Sequence, residues 1–275
     1  MIEMLEFSVI MSVYQGNSPD YLETAIDSIY QQTRKPKETV LVVDGPINQA
    51  LENILEKEQE KYQNIKIIRL EQNNGLAHAM QVAVDQASTP YLARMDSDDI
   101  CLPDRFEKQM RCFEEDPNLS IVGGMITEFE GNPVNIISKR IVPLNDADIK
   151  EFMRGRCGIN HVTAIIKKDD LLRAGNYQTS YLQEDHYLWA RMMLAGCTFK
   201  NIPDFVVNVR SGRDQFARRG GWKFFKSEVR MFWFMYKNKL ISFGYFLYIC
   251  AIRGTVQFLM PNWLRTWVYQ HFLRK

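Results

Sequence analysis

From residue 7 to residue 116 the chain alternates short apolar runs with helical patterns, and nothing else in it constrains the fold as strongly. Residues 7–13 (Phe-Ser-Val-Ile-Met-Ser-Val) are the first apolar run. Asn17-Ser18-Pro19 then starts a helix, with Ser18 at the N-cap and Pro19 at the first helical position, where a missing N–H costs nothing. Leu22, Ile26 and Ile29 follow at helical spacing. A second run, 39–43, closes on Asp44-Gly45-Pro46 and precedes a polar helix expected over 48–62. A third, 65–70, ends in Gln72-Asn73-Asn74-Gly75 and leads to a helix over 76–86. A fourth covers 91–95 and is followed, after Pro103, by a helical pattern over 105–115. Strands separated by helices must cross over and pair in parallel, so the expectation is an α/β fold with a sheet wound in the Rossmann manner.

After Asp116 the rhythm changes. Residues 121–129 read as a strand broken at Gly123-Gly124, 130–160 as irregular or short helix, and 162–167 as a strand. Short helix is expected over 169–174 and a clear helix over 184–195, ending at Gly196. Near residue 210 the charge inverts. Residues 210–275 hold 13 Lys/Arg against 2 Asp/Glu, a net of +11, so the overall +1 is a cancellation against an acidic remainder. Four of the five tryptophans (Trp222, Trp233, Trp263, Trp267) lie in that tail. A basic aromatic tail has two kinds of partner, nucleic acid or an anionic membrane surface. In residues 222–239 the basic positions 223, 226, 230 and 237 share one helical stripe, with Phe225, Val229, Phe232 and Tyr236 opposite. That predicts an interfacial amphipathic helix. The longest uncharged stretch, 240–252, has 13 residues and is too short to span a bilayer. Five scattered cysteines without a Cys-x-x-Cys pair argue against zinc and disulfides and for a reducing compartment. Glu3 and Glu6 stand where a basic leader would, so no signal peptide is expected.

The fourth run stops on three carboxylates in four residues, Asp96, Asp98 and Asp99. Open α/β sheets place their ligands beyond the carboxyl ends of strands. In an extended segment residues 96 and 98 point the same way. Two converging carboxylates repel unless a cation joins them. Such oxygen donors suit Mg2+ or Mn2+ bridged to a diphosphate, the alternative being a solvated acidic turn. Tyr14 and Asp44 follow the first two runs, so a parallel sheet brings them to the same edge and the four residues should share a cleft. No Walker or glycine-rich phosphate loop points to other nucleotide chemistry.

Five stretches, in order, resemble the family 2 glycosyltransferases, which have the GT-A (Rossmann-like nucleotide-diphospho-sugar transferase) fold. They are Ser8-Val9-Ile10-Met11-Ser12-Val13-Tyr14, Val42-Val43-Asp44-Gly45, Asn74-Gly75-Leu76-Ala77, Met95-Asp96-Ser97-Asp98-Asp99 and Glu184-Asp185-His186-Tyr187-Leu188-Trp189. The resemblance covers residues 7–210. It implies a catalytic domain over 1–210, its donor half about 1–116 and its acceptor half about 117–210, with 211–275 as a helical, membrane-associating tail. It implies that Ser12, Tyr14, Asp44, Asn74, Gly75, Arg94, Asp96 and Ser97 bind a nucleotide sugar. Tyr14 would stack on the base and Asp44 would accept a hydrogen bond from the uracil imide N–H. Asp98, with Asp96, would hold Mn2+ or Mg2+. Asp185 would take the acceptor's proton, with Glu184 the alternative base, and attack opposite the leaving diphosphate would invert the anomeric centre. Two departures stand out. Asp44-Gly45-Pro46 replaces the frequent Asp-Asp-Gly-Ser, and Ala79-Met80-Gln81 replaces Ala-Arg-Asn. The lost arginine makes Arg94, or the cluster over 210–219, the expected phosphate contact.

The distal half resembles one bacterial branch of the family, which includes amylovoran and O-antigen transferases acting on undecaprenyl diphosphate-linked sugars. The matching stretches are Ile159-Asn160-His161-Val162-Thr163, Ala174-Gly175-Asn176-Tyr177-Gln178, Phe199-Lys200-Asn201-Ile202-Pro203 and Arg218-Arg219-Gly220-Gly221. This implies a UDP-sugar donor, UDP-Gal or UDP-Glc favoured, and an undecaprenyl-diphosphate-linked sugar acceptor. It implies His161, Arg210, Arg218 and Arg219 as phosphate or acceptor contacts. Attachment would be peripheral, to anionic lipid at the cytoplasmic face of the inner membrane, with no nucleic-acid partner. The competing class is a non-catalytic nucleotide-sugar or nucleic-acid binding module. A binder needs no base, so Asp185 beside Asp96 and Asp98 separates the two.

Overall fold

The computed structural model describes residues 4–180, 182–211 and 221–259. The strands are β1 (Phe7–Val13), β2 (Glu38–Val43), β3 (Ile65–Arg69), β4 (Tyr91–Arg94), β5 (Ile100–Cys101), β6 (Ile121–Phe129), β7 (Ile136–Arg140), β8 (Ile165–Lys167) and β9 (Phe199–Arg210). They form one sheet in the order β3-β2-β1-β4-β8-β6-β9-β5, with β7 pairing β6 outside that path. The β3-β2-β1-β4 half is wholly parallel, as the alternation requires. Its crossover helices are α1 (Pro19–Tyr30), α2 (Gln49–Lys61) and α3 (Leu76–Gln86); α4 (Arg105–Glu115) follows the acid turn. Ser18 and Asn48 hold the N-cap positions of α1 and α2. Only Asn48 bonds the backbone with its side chain, accepting from Leu51 N–H at 3.0 Å.

Both faces of the parallel half are covered. Along β1, Val9, Met11 and Val13 join α1, α2 and α4 in one apolar cluster, while Ile10 faces α3 in the other. Trp189 of α7 (Glu184–Leu194) is fully buried in that second cluster, so the helix carrying Glu184 and Asp185 is anchored to the sheet.

Several elements differ from expectation, including the strands β5 and β9. Gly123-Gly124 does not break β6; the strand runs through, and its register with β9 shifts between Gly123 and Met125. Pro203, which lacks a ladder N–H, falls in the irregular part of β9, between the paired Asn201 and Phe205. A Cβ on Gly124 would meet Val206 at 2.7 Å, so the bulge requires glycine for space. Residues 162–167 divide into a 3-10 turn (His161–Thr163) and the short β8. The irregular stretch contains β7, paired antiparallel with β6 at the sheet's margin, and α5 (Asp146–Phe152). The short helix over 169–174 is α6 (Lys168–Arg173).

The tail forms two helices, α8 (Trp222–Lys237) and α9 (Phe243–Gly254), the latter continued by a π-helical turn over Thr255–Leu259. The buried face of α8 comprises Phe224, Ser227, Glu228, Met231, Phe232 and Met235. Phe225, Val229 and Tyr236, expected with Phe232 on one apolar stripe, are only half-buried beside it. The face turned to the core is therefore rotated from the expected one. The α8 side chains Met231, Phe232 and Met235 share a cluster with Ala190 of α7 and with Ile241 and Ile249. No helix among the described residues is long and apolar enough to cross a membrane. None of the five cysteines forms a disulfide.

Candidate functional site

Four strand ends build one side of the site. After β1, Tyr14 N–H donates to Asn17 Oδ1 at 2.8 Å and Asn17 N–H to Tyr14 O at 3.0 Å, closing a tight loop. The Tyr14 ring lies over Gly16, where a Cβ would come within 2.6 Å of it, and stays 42% exposed. After β2, Asp44 is buried and its two carboxylate oxygens accept the N–H groups of Asn74 (2.8 Å) and Gly75 (2.9 Å). Asp44 thereby fixes the N-terminus of α3. Gly45 has φ +84°, and a Cβ there would sit 2.5 Å from Asn73 N, so no other residue fits the turn.

After β4, Asp96 and Asp98 of the turn line one cleft, and Arg94 reaches Asp96 from the end of the strand. Arg94 is buried and donates both terminal nitrogens to the two oxygens of Asp96, while its Nε is buried without a partner. Arg94 therefore points toward the acid turn. Burial and the neighbouring Asp96 charge, against Arg94, push the Asp98 carboxyl up to about 6. Asp99 is buried and also held well above its ordinary range, by burial and then by Asp96 and Asp98. Its Oδ1 accepts Arg210 N–H at 2.8 Å. The Arg210 guanidinium lies 3.6 Å from the Tyr21 ring centroid and 4.6 Å from that of Phe129, and its Nε donates to Asp98 O at 3.1 Å. Arg210 thus ties the end of β9 to the acid turn.

Ser12, Tyr14, Asp44, Gly75, Asp96, Ser97 and Asp98 line one cleft of about 530 Å³. Asn74 does not line it; its neighbour Asn73 does. Among the described residues no three His, Cys, Asp or Glu side chains are grouped to cage a metal. Of the three carboxylates lining the cleft, Asp44 is taken up by the Asn74 and Gly75 amides and Asp96 is paired with Arg94, while Asp98 is short of positive charge. This donor set fits a hard divalent cation held by Asp98 and completed by a ligand's phosphate oxygens and water, rather than one enclosed by protein.

A second group lies beyond Arg94. His161 Nε2 is 3.1 Å from the hydroxyl of Tyr177, a fully buried side chain. Burial and Arg94 push His161 down to about 3, while Asp185 and Asp96 pull it back up. The ring is therefore neutral near pH 7, within electrostatic reach of both acid groups. Burial pushes the Tyr177 phenol well above its ordinary value, outweighing Arg94. At the start of α7, Asp185 Oδ1 accepts His186 N–H at 2.7 Å and Oδ2 accepts the Cys157 thiol at 3.4 Å. Burial alone would raise Asp185, but His161, His186, that amide and Arg140 hold it below its ordinary value. Burial also keeps His186 neutral, and His186 Nε2 donates to Met153 O at 2.7 Å. Glu184 is shifted the other way, up, by burial and by Asp185.

The site thus joins the expected residues of four strand ends with the Asp185 helix through Arg94, His161 and Tyr177. Arg218 and Arg219 lie outside the described residues. Sequence reasoning missed Tyr177, Cys157, Arg140 and Tyr21 as site residues. Tyr177 stood inside a quoted motif, but only the fold reveals its hydroxyl beside His161.

The sequence pattern described as "Glycosyl transferase family 2" matches residues 8–172. The amylovoran biosynthesis glycosyltransferase AmsE of Erwinia amylovora is 35% identical over 94% of this chain and 93% of its own length. The UDP-Gal:alpha-D-GlcNAc-diphosphoundecaprenol beta-1,3-galactosyltransferase of Escherichia coli is 32% identical over 98% of this chain and 97% of its own. Among solved structures, the mannosyltransferase PcManGT of Pyrobaculum calidifontis, in complex with GDP-Man and Mn2+, superimposes with a TM-score of 0.64. It covers 97% of this chain and 80% of that one at 16% identity, a likeness of fold. A cleft at the carboxyl edge of a parallel half-sheet, a matching sequence pattern and relatives matched end to end agree: the chain is an enzyme of glycosyltransferase family 2, with the GT-A fold.

Proposed function

We propose that the enzyme moves a hexose from a UDP-sugar, UDP-Gal or UDP-Glc, to a sugar carried on a lipid diphosphate, inverting the anomeric centre, in the synthesis of a bacterial surface polysaccharide. One observation carries this reading: Asp96 and Asp98 share a cleft with Tyr14 and Asp44, while an ionised Asp185 stands across His161 and Tyr177 from them. The AmsE and galactosyltransferase relatives support the substrate classes by their names.

The Tyr14 ring stacks on the uracil, and a remaining lone pair of Asp44 accepts from the imide N–H. Ser12, Gly75 and Ser97 complete the nucleotide contacts, Asn74 holds the Asp44 carboxylate through its N–H, and Arg94 with Arg210 holds the acid turn in place for the diphosphate. Asp98 and Asp96 hold Mn2+ or Mg2+; the Mn2+ bound in the PcManGT structure supports that choice. When bound, the metal supplies positive charge to the departing diphosphate. Asp185, or Glu184 in its place, takes the proton of the acceptor hydroxyl as its oxygen attacks. His161 and Tyr177 position the two halves, and Arg218 and Arg219 serve the acceptor's phosphates. Catalysis belongs to residues 1–210, with 211–275 holding the enzyme peripherally on anionic lipid at the cytoplasmic face of the inner membrane.

The test is a panel of nucleotide sugars offered with Mn2+ and a synthetic sugar-diphosphate-lipid acceptor. Transfer from UDP-Gal or UDP-Glc to the acceptor is expected. UDP binding without transfer from any sugar nucleotide would make the protein a binding module.

A further inference from the structure

Helix α9 is built inside out. Its one charged residue, Arg253, turns inward: Nη2 donates to Gly155 O at 2.9 Å and Nη1 lies 3.6 Å from Glu228 Oε1. Phe243, Leu247, Tyr248 and Ile252 turn outward and are 39–60% exposed. A helix packed on a soluble protein ordinarily shows the opposite arrangement. The exposed apolar surface continues across Trp233, which meets Phe246 at 5.5 Å between ring centroids.

Within the two tail helices the exposed charge has one sign, and an acid beside them, Glu151 of α5, shares a groove with Tyr245 and with the basic Arg154 and Lys239. Between residues 221 and 259 the single acid, Glu228, is buried, whereas Lys223, Lys226, Arg230, Lys237 and Lys239 are all exposed. Lys237 Nζ lies 5.1 Å from the Trp233 ring centroid, so the basic rim adjoins the aromatic face. Apolar side chains bordered by aromatics and lysines match the layering of a bilayer surface: acyl region, carbonyl level, anionic headgroups. A second copy of the chain fits poorly, because a two-fold interface would set lysine rim against lysine rim.

We propose that the outward face of α9, rimmed by the lysines of α8, is the surface that lies in the plane of an anionic lipid bilayer. This deepens the membrane reading above and rests on it. The face is also one layer from the base. Arg253 grips Gly155, and the Met153–Cys157 segment supplies Met153 O to His186 and the Cys157 thiol to Asp185. Docking on α9 therefore presents the Asp185 side of the site to the membrane, and a lipid-borne acceptor approaches from there.

The experiment is co-sedimentation of the full-length protein with vesicles of phosphatidylcholine alone and of phosphatidylcholine mixed with phosphatidylglycerol. The wild type is compared with Leu247→Glu/Ile252→Glu, folding is checked by circular dichroism, and transfer is measured to a short-chain, water-soluble acceptor. The wild type should bind the anionic vesicles, in a salt-sensitive way, and the double variant should bind roughly tenfold or more weakly at unchanged soluble-acceptor turnover. Equal binding by a folded double variant overturns the α9 assignment and leaves the membrane reading standing. A wild type that ignores anionic vesicles overturns both. Concentration-dependent dimers that the double variant abolishes would assign the face to a second copy instead. The transferase reading is judged separately, by the soluble acceptor.

Discussion

At the scale of single residues, two carboxylates divide the proposed work, and their surroundings say how each should fail. Asp185 takes an amide and a thiol and is held ionised, touching none of the cleft-lining acids. Asp185→Asn should lower turnover roughly 10²–10⁴-fold while leaving donor affinity by calorimetry near normal. Asp98→Ala should lose metal-dependent donor affinity together with rate, and a chelator should act alike on the wild type; full activity in excess chelator would remove the metal from the reaction. A pH profile separates Asp185 from Glu184. A base works deprotonated, so turnover falls as pH drops through its pKa. With metal and donor both saturating, so that Asp98 stays deprotonated, turnover should persist to lower pH if the base is Asp185, below its ordinary 3.8, than if it is Glu184, above its ordinary 4.5. Tyr14, Asp44, Asp96 and Asp98 were legible in the sequence because a strand followed by a turn names its own carboxyl end. Tyr177 and Arg140 were not, since their approach to His161 and Asp185 depends on β7 and on the segment before α7.

At the scale of elements, legibility followed periodicity. The bounds of α3 and α4 match the helical pattern because each buries one stripe. Strand β7 went unseen because its side chains are mostly exposed, so no alternation marks it and backbone pairing with β6 alone makes it a strand. Strand β9 went unseen because Pro203 interrupts the pattern where the bulge sits. Helix α2 shows a different strain between pattern and structure. Glu58 lies on its buried face, 1% exposed, and neither oxygen receives a hydrogen bond. The nearest cation, Lys61 Nζ, is 3.8 Å away, and burial with the neighbouring Asp27 raises the Glu58 carboxyl. A carboxyl with a raised folded pKa costs stability once pH exceeds its unfolded value. Glu58→Gln should therefore raise stability at neutral pH by about 1 kcal/mol, a few degrees in melting temperature, and the gain should shrink as pH falls toward the ordinary glutamate range. A melting temperature that is unchanged or lower at pH 7.5 would mean that Lys61 already satisfies the charge.

At the scale of the whole molecule, the question is whether the tail is an appendage. Charge and composition placed a boundary near residue 210, and that asymmetry is real in the sequence. The packing is less divided. Ala190 of α7 is fully buried against Met231, Phe232 and Met235 of α8, Tyr187 meets Phe234 at 4.8 Å and His186 meets Phe232 at 6.1 Å between ring centroids. The helix that carries Asp185 is therefore clamped between the sheet and the hairpin. The donor cleft has no such debt to the tail, since its lining comes from residues 12–98. Phe232→Ala in the full-length chain tests this without removing anything. Emptying a buried phenylalanine site costs roughly 3–5 kcal/mol of local packing, paid where α8 meets α7. Turnover on a water-soluble acceptor should fall several-fold, with calorimetric affinity for a UDP-sugar and Mn2+ unchanged, because α7 loosens while the cleft does not. If turnover stays at the wild-type level in a variant whose melting temperature has dropped, the hairpin serves attachment alone, and the boundary near residue 210 separates two independent parts.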